Sequence, residues 1–250
     1  MPETTGTIGR IAWDQTGERY YEAGVDRGVL YTDKSTVANE DGKYTNGVPW
    51  NGLTAVTESP SGAEATPLYA NNRKYLNIIS NEEFAGSIEA YTYPDEFAEC
   101  DGSKEVLPGL YIGQQARKTF GMTYRTLIGN DVDEAGAAYK LHLVYHALAG
   151  VSEKARNTIN ENLEPEPFSW EFTTTSVDMA ANDSTLAALK LKPTAHIVVD
   201  SRTVSAEKLK DLEDILYGTA TTAPYLPSPD AVYNLLKATD ETEGTEAATE

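Results

Sequence analysis

Six stretches of the chain alternate apolar with polar side chains, most clearly Phe168-Ser169-Trp170-Glu171-Phe172 and Tyr139-Lys140-Leu141-His142-Leu143. A period of two places one set of side chains on each face of a strand, so one face is greasy and the other wet. Such strands must bury their apolar faces against each other, which points to a mainly β chain. Further strands are expected around 20–31, 48–57, 74–80, 86–93, 110–115, 119–128 and 193–200, with Pro49 at the start of its strand, where a missing N–H costs least. The stretch 20–31 carries Gly24 and Gly28 and reads as one interrupted strand or a hairpin. Pro94-Asp95-Glu96-Phe97-Ala98-Glu99-Cys100 suits a short helical turn. Residues 58–67, rich in Ser, Pro, Gly and Ala, form a loop too long for a simple hairpin tip.

Only one region has a clear helical period. Leu209, Leu212, Ile215 and Leu216 recur three to four apart and form one apolar stripe. Ser205 stands where a helix cap belongs, and Gly218 where the helix should stop. A shorter helix is expected over 229–237 with Val232, Leu235 and Leu236 facing inward. The fold class expected is thus a two-sheet β-sandwich or partial barrel with a flanking α-helix. The first ten residues, and 238–250 with five acids and no base, lack the apolar content to order themselves.

Charge and cysteine content exclude several function classes. The 39 acids against 20 bases leave a formal charge of −19, and affinity for nucleic acid comes chiefly from Lys and Arg displacing counterions. Sequence-specific DNA binding is therefore not expected. A single cysteine, Cys100, allows no internal disulfide and fits a cytosolic folding compartment. Met1-Pro2-Glu3-Thr4-Thr5 lacks a signal peptide's basic-then-apolar start, and no apolar run approaches the ~20 residues needed to span a bilayer. Fifteen tyrosines against five phenylalanines suit strands and subunit contacts, where one end of the ring is buried and the other wet.

Candidate chemistry is sparse. His142 and His146, four apart on a strand, sit about 13 Å from each other and cannot share an ion; they read as a solvated strand face, and His196 shows no neighbour of interest. Asp131-Val132-Asp133-Glu134-Ala135-Gly136 begins like a calcium loop but has alanine at position 5 and His142 at position 12, so it reads as an acidic hairpin turn. There is no G-x-S-x-G, and Gly109-Leu110-Tyr111-Ile112-Gly113 precedes no helix. No catalytic, cofactor-binding or metal-ligating residue is expected, and the chain is not expected to be an enzyme.

Gly47-Val48-Pro49-Trp50-Asn51-Gly52-Leu53-Thr54-Ala55-Val56-Thr57-Glu58-Ser59-Pro60-Ser61-Gly62-Ala63-Glu64 resembles a stretch of the major tail (tail tube) proteins of long-tailed bacteriophages and related prophages. The resemblance continues through Glu89-Ala90-Tyr91-Thr92-Tyr93-Pro94-Asp95-Glu96-Phe97, Ile112-Gly113-Gln114-Gln115, Tyr124-Arg125-Thr126-Leu127-Ile128-Gly129-Asn130-Asp131 and Phe168-Ser169-Trp170-Glu171. It spans most of 20–218. It implies a tail-tube β domain over 1–237, hexameric rings stacked into a hollow tube, and a long loop or hairpin reaching the next ring, placed by position in 40–72. Unlike relatives with an added immunoglobulin-like domain, this chain ends in a short helix and an acidic tail.

The implied partners are copies of the chain itself, a tail initiator or baseplate, and tape-measure and terminator proteins. DNA passes through the lumen during ejection without specific binding, and no membrane is involved. The location implied is the virion tail, assembled in the host bacterial cytoplasm. Trp50 and Leu53 are candidate assembly contacts, because buried aromatic and aliphatic anchors dominate interfaces; the alternative is that both are core residues. Rival readings are a secretion-system or contractile-tail inner tube subunit, or a carbohydrate-binding β-sandwich that would use its tyrosines with Trp13 and Trp50. Deleting 238–250 is predicted to leave assembly intact, as judged by negative-stain microscopy of the truncated chain.

Overall fold

The computed structural model describes residues 11, 13–34, 43–156, 158, 165–179 and 188–237. The expectations for 1–10 and for the acidic stretch 238–250 lie outside these residues, as does part of the loop expected at 176–190. Strands dominate: β1 (Tyr21–Lys34), β2 (Tyr44–Pro49), β3 (Leu53–Glu58), β4 (Ser61–Gly62), β5 (Ala65–Ala70), β6 (Arg73–Ile79), β7 (Glu82–Glu83), β8 (Ala85–Ala90), β9 (Lys104–Leu107), β10 (Leu110–Ile112), β11 (Phe120–Asn130), β12 (Glu134–Ala149), β13 (Phe168–Thr174) and β14 (His196–Asp200). A 3-10 turn spans Asp95–Glu99, and two helices follow the last strand, α1 (Ala206–Tyr217) and α2 (Pro229–Lys237). No helix among the described residues is long and apolar enough to cross a membrane.

Eight strands form one antiparallel sheet in the order β2-β1-β11-β12-β13-β8-β3, with β14 also paired to β12. The long strand β12 joins its two halves. Lys140–Val144 pairs with β14, whereas Ala147–Ala149 pairs with β13. Between them the register against β11 slips and His146 takes a left-handed φ of 46°. A bulge of this kind bends a strand and raises its twist, so β12 leaves one half of the sheet and enters the other. The two halves then face each other as a sandwich.

Period-two alternation explains the core. Leu30, Met122, Tyr124 and Val144 point into the sandwich, where they meet Ile88, Phe97, Trp170 and Phe172. Their neighbours Val29, Tyr31, Leu141, Leu143 and Tyr145 point the other way and pack under Leu209, Leu212 and Leu216 of α1 and Val232 of α2. Both faces of the β1–β11–β12 region are therefore buried, which is why Phe120–Tyr124 is buried at every position. Gly121 is needed on the helix side, since a Cβ there would lie 2.5 Å from Leu226 Cδ2. Tyr31 donates its hydroxyl to Leu216 O (2.7 Å) and Tyr139 donates to Glu213 Oε1 (2.7 Å), pinning α1 to the sheet. Residues 205–218 follow the expected pattern with one difference: the Ser205 side chain makes no capping bond, and its carbonyl accepts the first helical hydrogen bond from Leu209 N (3.0 Å).

Of the two alternatives for residues 20–31 the structure has the single interrupted strand, with register slips near Gly24 and between Asp26 and Val29. Two local expectations change. The strand expected over 48–57 is two strands, because Gly52 (φ 74°) turns the chain at Trp50–Gly52 and carries it from the first half-sheet to the second. Part of the loop expected at 58–67 is strand, namely β4 and the start of β5.

Trp50 sits at that turn and is 3% exposed. Its ring lies 4.7 Å from Phe97 and 5.9 Å from Trp170, and its indole N–H donates to Thr92 O (3.1 Å). It is a core residue of the monomer. Leu53 is half-buried against the same cluster. Trp50→Ala is predicted to destabilise the folded chain by roughly 3–5 kcal/mol, the usual cost of emptying an aromatic core site, measured as a lower urea midpoint for the monomer.

Candidate functional site at the root of an exposed ribbon

Strands β3 and β8 are neighbours in the sandwich, and the chain between them does not turn back at the sheet edge. Ser59 N still donates to Ala85 O (2.8 Å), Ser61–Gly62 pairs with Glu82–Glu83, and Ala65–Ala70 pairs with Arg73–Ile79. The β3–β8 hairpin thus continues outward as a ribbon of up to about 30 Å, at roughly 3.3 Å per residue. At its tip Asn71 (φ 51°) and Asn72 (φ 61°) are both left-handed, the requirement of a two-residue type I′ turn, which asparagine tolerates well. The resemblance placed a reaching segment at 40–72; the ribbon lies further along, at 61–83.

Every residue of β5 and β6 is exposed. Leu68 pairs with Leu76 and Thr66 with Ile78 on one face; Ala65 pairs with Ile79 on the other. Tyr69 and Tyr75 are each 72% exposed and Ile79 64%. Among the described residues neither strand has a further ladder partner. A two-stranded ribbon alone in water is marginal at best, and this one leaves apolar side chains bare on both faces. A second ribbon, β9–β10, likewise exposes Leu107, Leu110 and Ile112. The tyrosines divide accordingly: Tyr31, Tyr44, Tyr124 and Tyr145 are fully buried, while Tyr69 and Tyr75 stand in solvent.

The root of the first ribbon meets a cluster of polar side chains that spacing in the sequence does not reveal. Glu58 ends β3, and Phe84 precedes β8. His142 lies on β12 and His196 begins β14, its cross-strand neighbour. Tyr124, His142, His196 and Phe84 form one stack, with successive ring centroids 4.5, 5.4 and 4.2 Å apart. His142 Nδ1 lies 3.2 Å from His196 Nε2 and 3.3 Å from Glu58 Oε1, and His196 Nε2 lies 4.0 Å from the same oxygen. The Tyr124 hydroxyl donates to Glu58 Oε1 (2.7 Å).

On the far side of the His142 ring, Thr126 Oγ1 is 3.0 Å from Nε2 and donates its proton to Glu22 Oε1 (2.6 Å). A hydroxyl has only one proton. Thr126 must therefore accept from His142 Nε2–H, and in the neutral ring Nδ1 carries a bare lone pair directed at His196 and Glu58. Three donor atoms from three strands so converge: Glu58 Oε1, His142 Nδ1 and His196 Nε2, all within 4.8 Å of one another. These are the described residues able to hold a metal ion.

Two expectations are corrected here. His142 (5% exposed) and His146 (8%) do not form a solvated strand face: His142 faces the sandwich interior, stacked on Tyr124, and the bulge turns His146 to the helix side, edge-on to Tyr44. His196 has close neighbours in His142 and Phe84. The acidic turn after Asn130 is as expected, with Asn130 Oδ1 accepting from Val132 N and Asp133 N. Of the aromatic pair behind the carbohydrate reading, only Trp13 (75% exposed) stands in solvent. A groove of about 880 Å³ between β14 and α2 is lined mainly by aliphatic side chains, among them Leu191, Ile197, Val232 and Leu236.

Burial holds both cluster histidines below the ordinary imidazole range, that of His196 to about 4; the nearby Glu58 opposes the shift without overcoming it. Burial, with Glu58 beside it, pushes the Tyr124 phenol well up. Both rings are therefore neutral at pH 7. A histidine whose folded pKa is depressed binds its proton more readily in the unfolded chain, so stability falls as pH drops from about 6.5 to about 4. In metal-free protein, urea unfolding across this window is predicted to show a shallower loss for His196→Gln than for the parent chain.

No protein-family model matches this chain, and no curated protein matches it. Among solved structures it is similar to a chain of the cryo-EM structure of the anti-feeding prophage baseplate, 6-fold symmetrised, with 7% identity and a TM-score of 0.34 over 76% of this chain and 97% of that one. A likeness that loose carries no argument about fold or function.

Proposed function

We propose that this chain is a structural subunit that assembles with copies of itself, and that it serves as the major tail tube subunit of a long-tailed phage virion or related prophage particle. The observation that carries this reading is the β5–β6 ribbon, which displays Leu68, Tyr69, Tyr75, Leu76, Ile78 and Ile79 to water with no core behind them. Exposed apolar surface in one projecting element marks an interaction site. A partner that is another copy accounts for it economically, since one arm docking on one neighbour repeats by rotation into a ring and by translation into a stack.

The sheet adds support. Among the described residues β3 and β14 each lack a ladder partner on one side, and closing a barrel across subunits removes such edges. The resemblance of the runs between 47 and 171 to tail tube proteins points the same way. The charge of −19 per chain suits a conduit: a net-negative bore repels DNA, which carries about one charge per 1.7 Å, and lets it slide through unbound. On this reading Trp50 supports the turn that launches β3 toward the ribbon, and the ribbon side chains rather than Trp50 make the contact.

Replacing 65–79 by an Asn-Gly turn is predicted to leave a folded monomer with an unchanged unfolding midpoint that no longer forms rings or filaments. Negative-stain microscopy of both proteins at high concentration checks it. A parent chain that stays monomeric at every concentration defeats the assembly reading.

A further inference from the structure

The geometry points to a divalent transition-metal site of the zinc class, formed by Glu58, His142 and His196, that fastens the root of the β5–β6 ribbon to the corner of the sandwich. Three arguments carry it. The first is distance. Separations of 3.2, 3.3 and 4.0 Å define a triangle whose centre lies about 2.1 Å from each corner, within the usual range for zinc bound to imidazole nitrogen and carboxylate oxygen. A cation fits there without moving any of the three strands.

The second argument is the direction of the lone pairs. With Thr126 occupying His142 Nε2–H, the Nδ1 lone pair faces the Glu58 carboxylate at 3.3 Å. In the metal-free protein His196 Nε2–H can donate to that lone pair at 3.2 Å. With His196 in its other neutral tautomer both nitrogens and Glu58 Oε1 offer lone pairs to one point, and a metal ion takes the place of that proton.

The third is the support behind the ligands. The chain His142–Thr126–Glu22, with Lys140 paired to Glu22, fixes the ring and its tautomer. This is the outer-shell arrangement that metal-bound histidines need. Tyr124, donating to Glu58 Oε1, orients the carboxylate in the same way. Two imidazoles and one carboxylate suit Zn²⁺, Co²⁺ or Ni²⁺ and disfavour Ca²⁺ and Mg²⁺, which need more oxygen ligands. The Glu58 side chain is 39% exposed, so water can reach a fourth position.

The consequence is mechanical. Glu58, at the end of β3, leads into the outgoing arm of the ribbon, and Phe84, stacked on His196 at 4.2 Å, follows the returning arm. A metal bound to Glu58 and both histidines ties the outgoing strand to β12 and β14 and sets the angle at which the ribbon leaves the body. This site is independent of the assembly reading and is tested on the monomer.

The full chain, stripped with a chelator, is titrated with Zn²⁺ alone, with Mg²⁺ as the comparison. One equivalent should bind by calorimetry. The melting temperature should rise by roughly 5–10 °C at about a hundredfold excess over Kd, with no response to Mg²⁺. Co²⁺ should give the visible d–d absorption of a low-symmetry site. His196→Gln and Glu58→Gln, each shown folded by circular dichroism, should weaken Zn²⁺ binding at least about tenfold, and His146→Gln should not. A parent chain that takes up no Zn²⁺, or a response that survives in both ligand variants, overturns the proposal.

Discussion

Strand β12 must serve three neighbours at once, and the rest of the molecule follows from how it does so. It pairs with β11 along nearly its whole length, with β14 over its middle and with β13 only at its end. A flat strand cannot satisfy all three. The slip at Tyr145–His146 lets the backbone change direction while Tyr145 N still finds Ala195 O and His146 O still accepts from Thr175 N. The open corner this creates is where the cluster of Glu58, His142 and His196 sits.

Because the sheet folds on itself, one region is covered twice, by the opposing half-sheet and by α1 and α2. Its strands carry large side chains on both faces, and four tyrosines lie fully buried there. Tyrosine tolerates this when its hydroxyl finds a partner, as Tyr31 does with Leu216 O and Thr123. The arrangement leaves the β3–β8 hairpin anchored on one side only. It runs past the edge of the core into solvent, and among the described residues no burial compensates for its apolar side chains. Buried apolar contacts are concentrated in the body, and exposed apolar side chains in the ribbon.

The polar cluster sits where these two regimes meet. Buried ionisable groups are costly unless they are paired or coordinated, and a protein that needed only a corner could fill it with aliphatic side chains. Here the corner holds two imidazoles, a phenol and a carboxylate, stacked and cross-linked between the body and the ribbon. Such an arrangement restricts how the ribbon leaves the body, which an apolar contact of the same size would do less selectively.

Much of the architecture was legible in the sequence. Phe168–Phe172 and Leu141–Leu143 announced half-buried strands, and Leu209, Leu212 and Leu216 announced the flanking helix, because period and packing face are local properties of the chain. What alternation could not reveal is whether the face opposite Leu141 is water or a second core. That depends on the sheet folding over, which buries His142, and on the β12 bulge, which turns His146 against Tyr44 on the helix side. Trp50 is a core ring in the monomer for the same reason. Glu58, His142 and His196 are separated by 84 and 54 positions, so no motif spacing could join them; the β12–β14 pairing and the end of β3 bring them together. The Asn71-Asn72 pair, flanked by Leu68-Tyr69-Ala70 and Tyr75-Leu76, is a local turn signal. Sequence thus determined the elements and their greasy faces, through interactions between near neighbours. Tertiary structure decided which faces meet, which residues converge and which ribbon is left without a partner, since those depend on contacts between residues far apart along the chain.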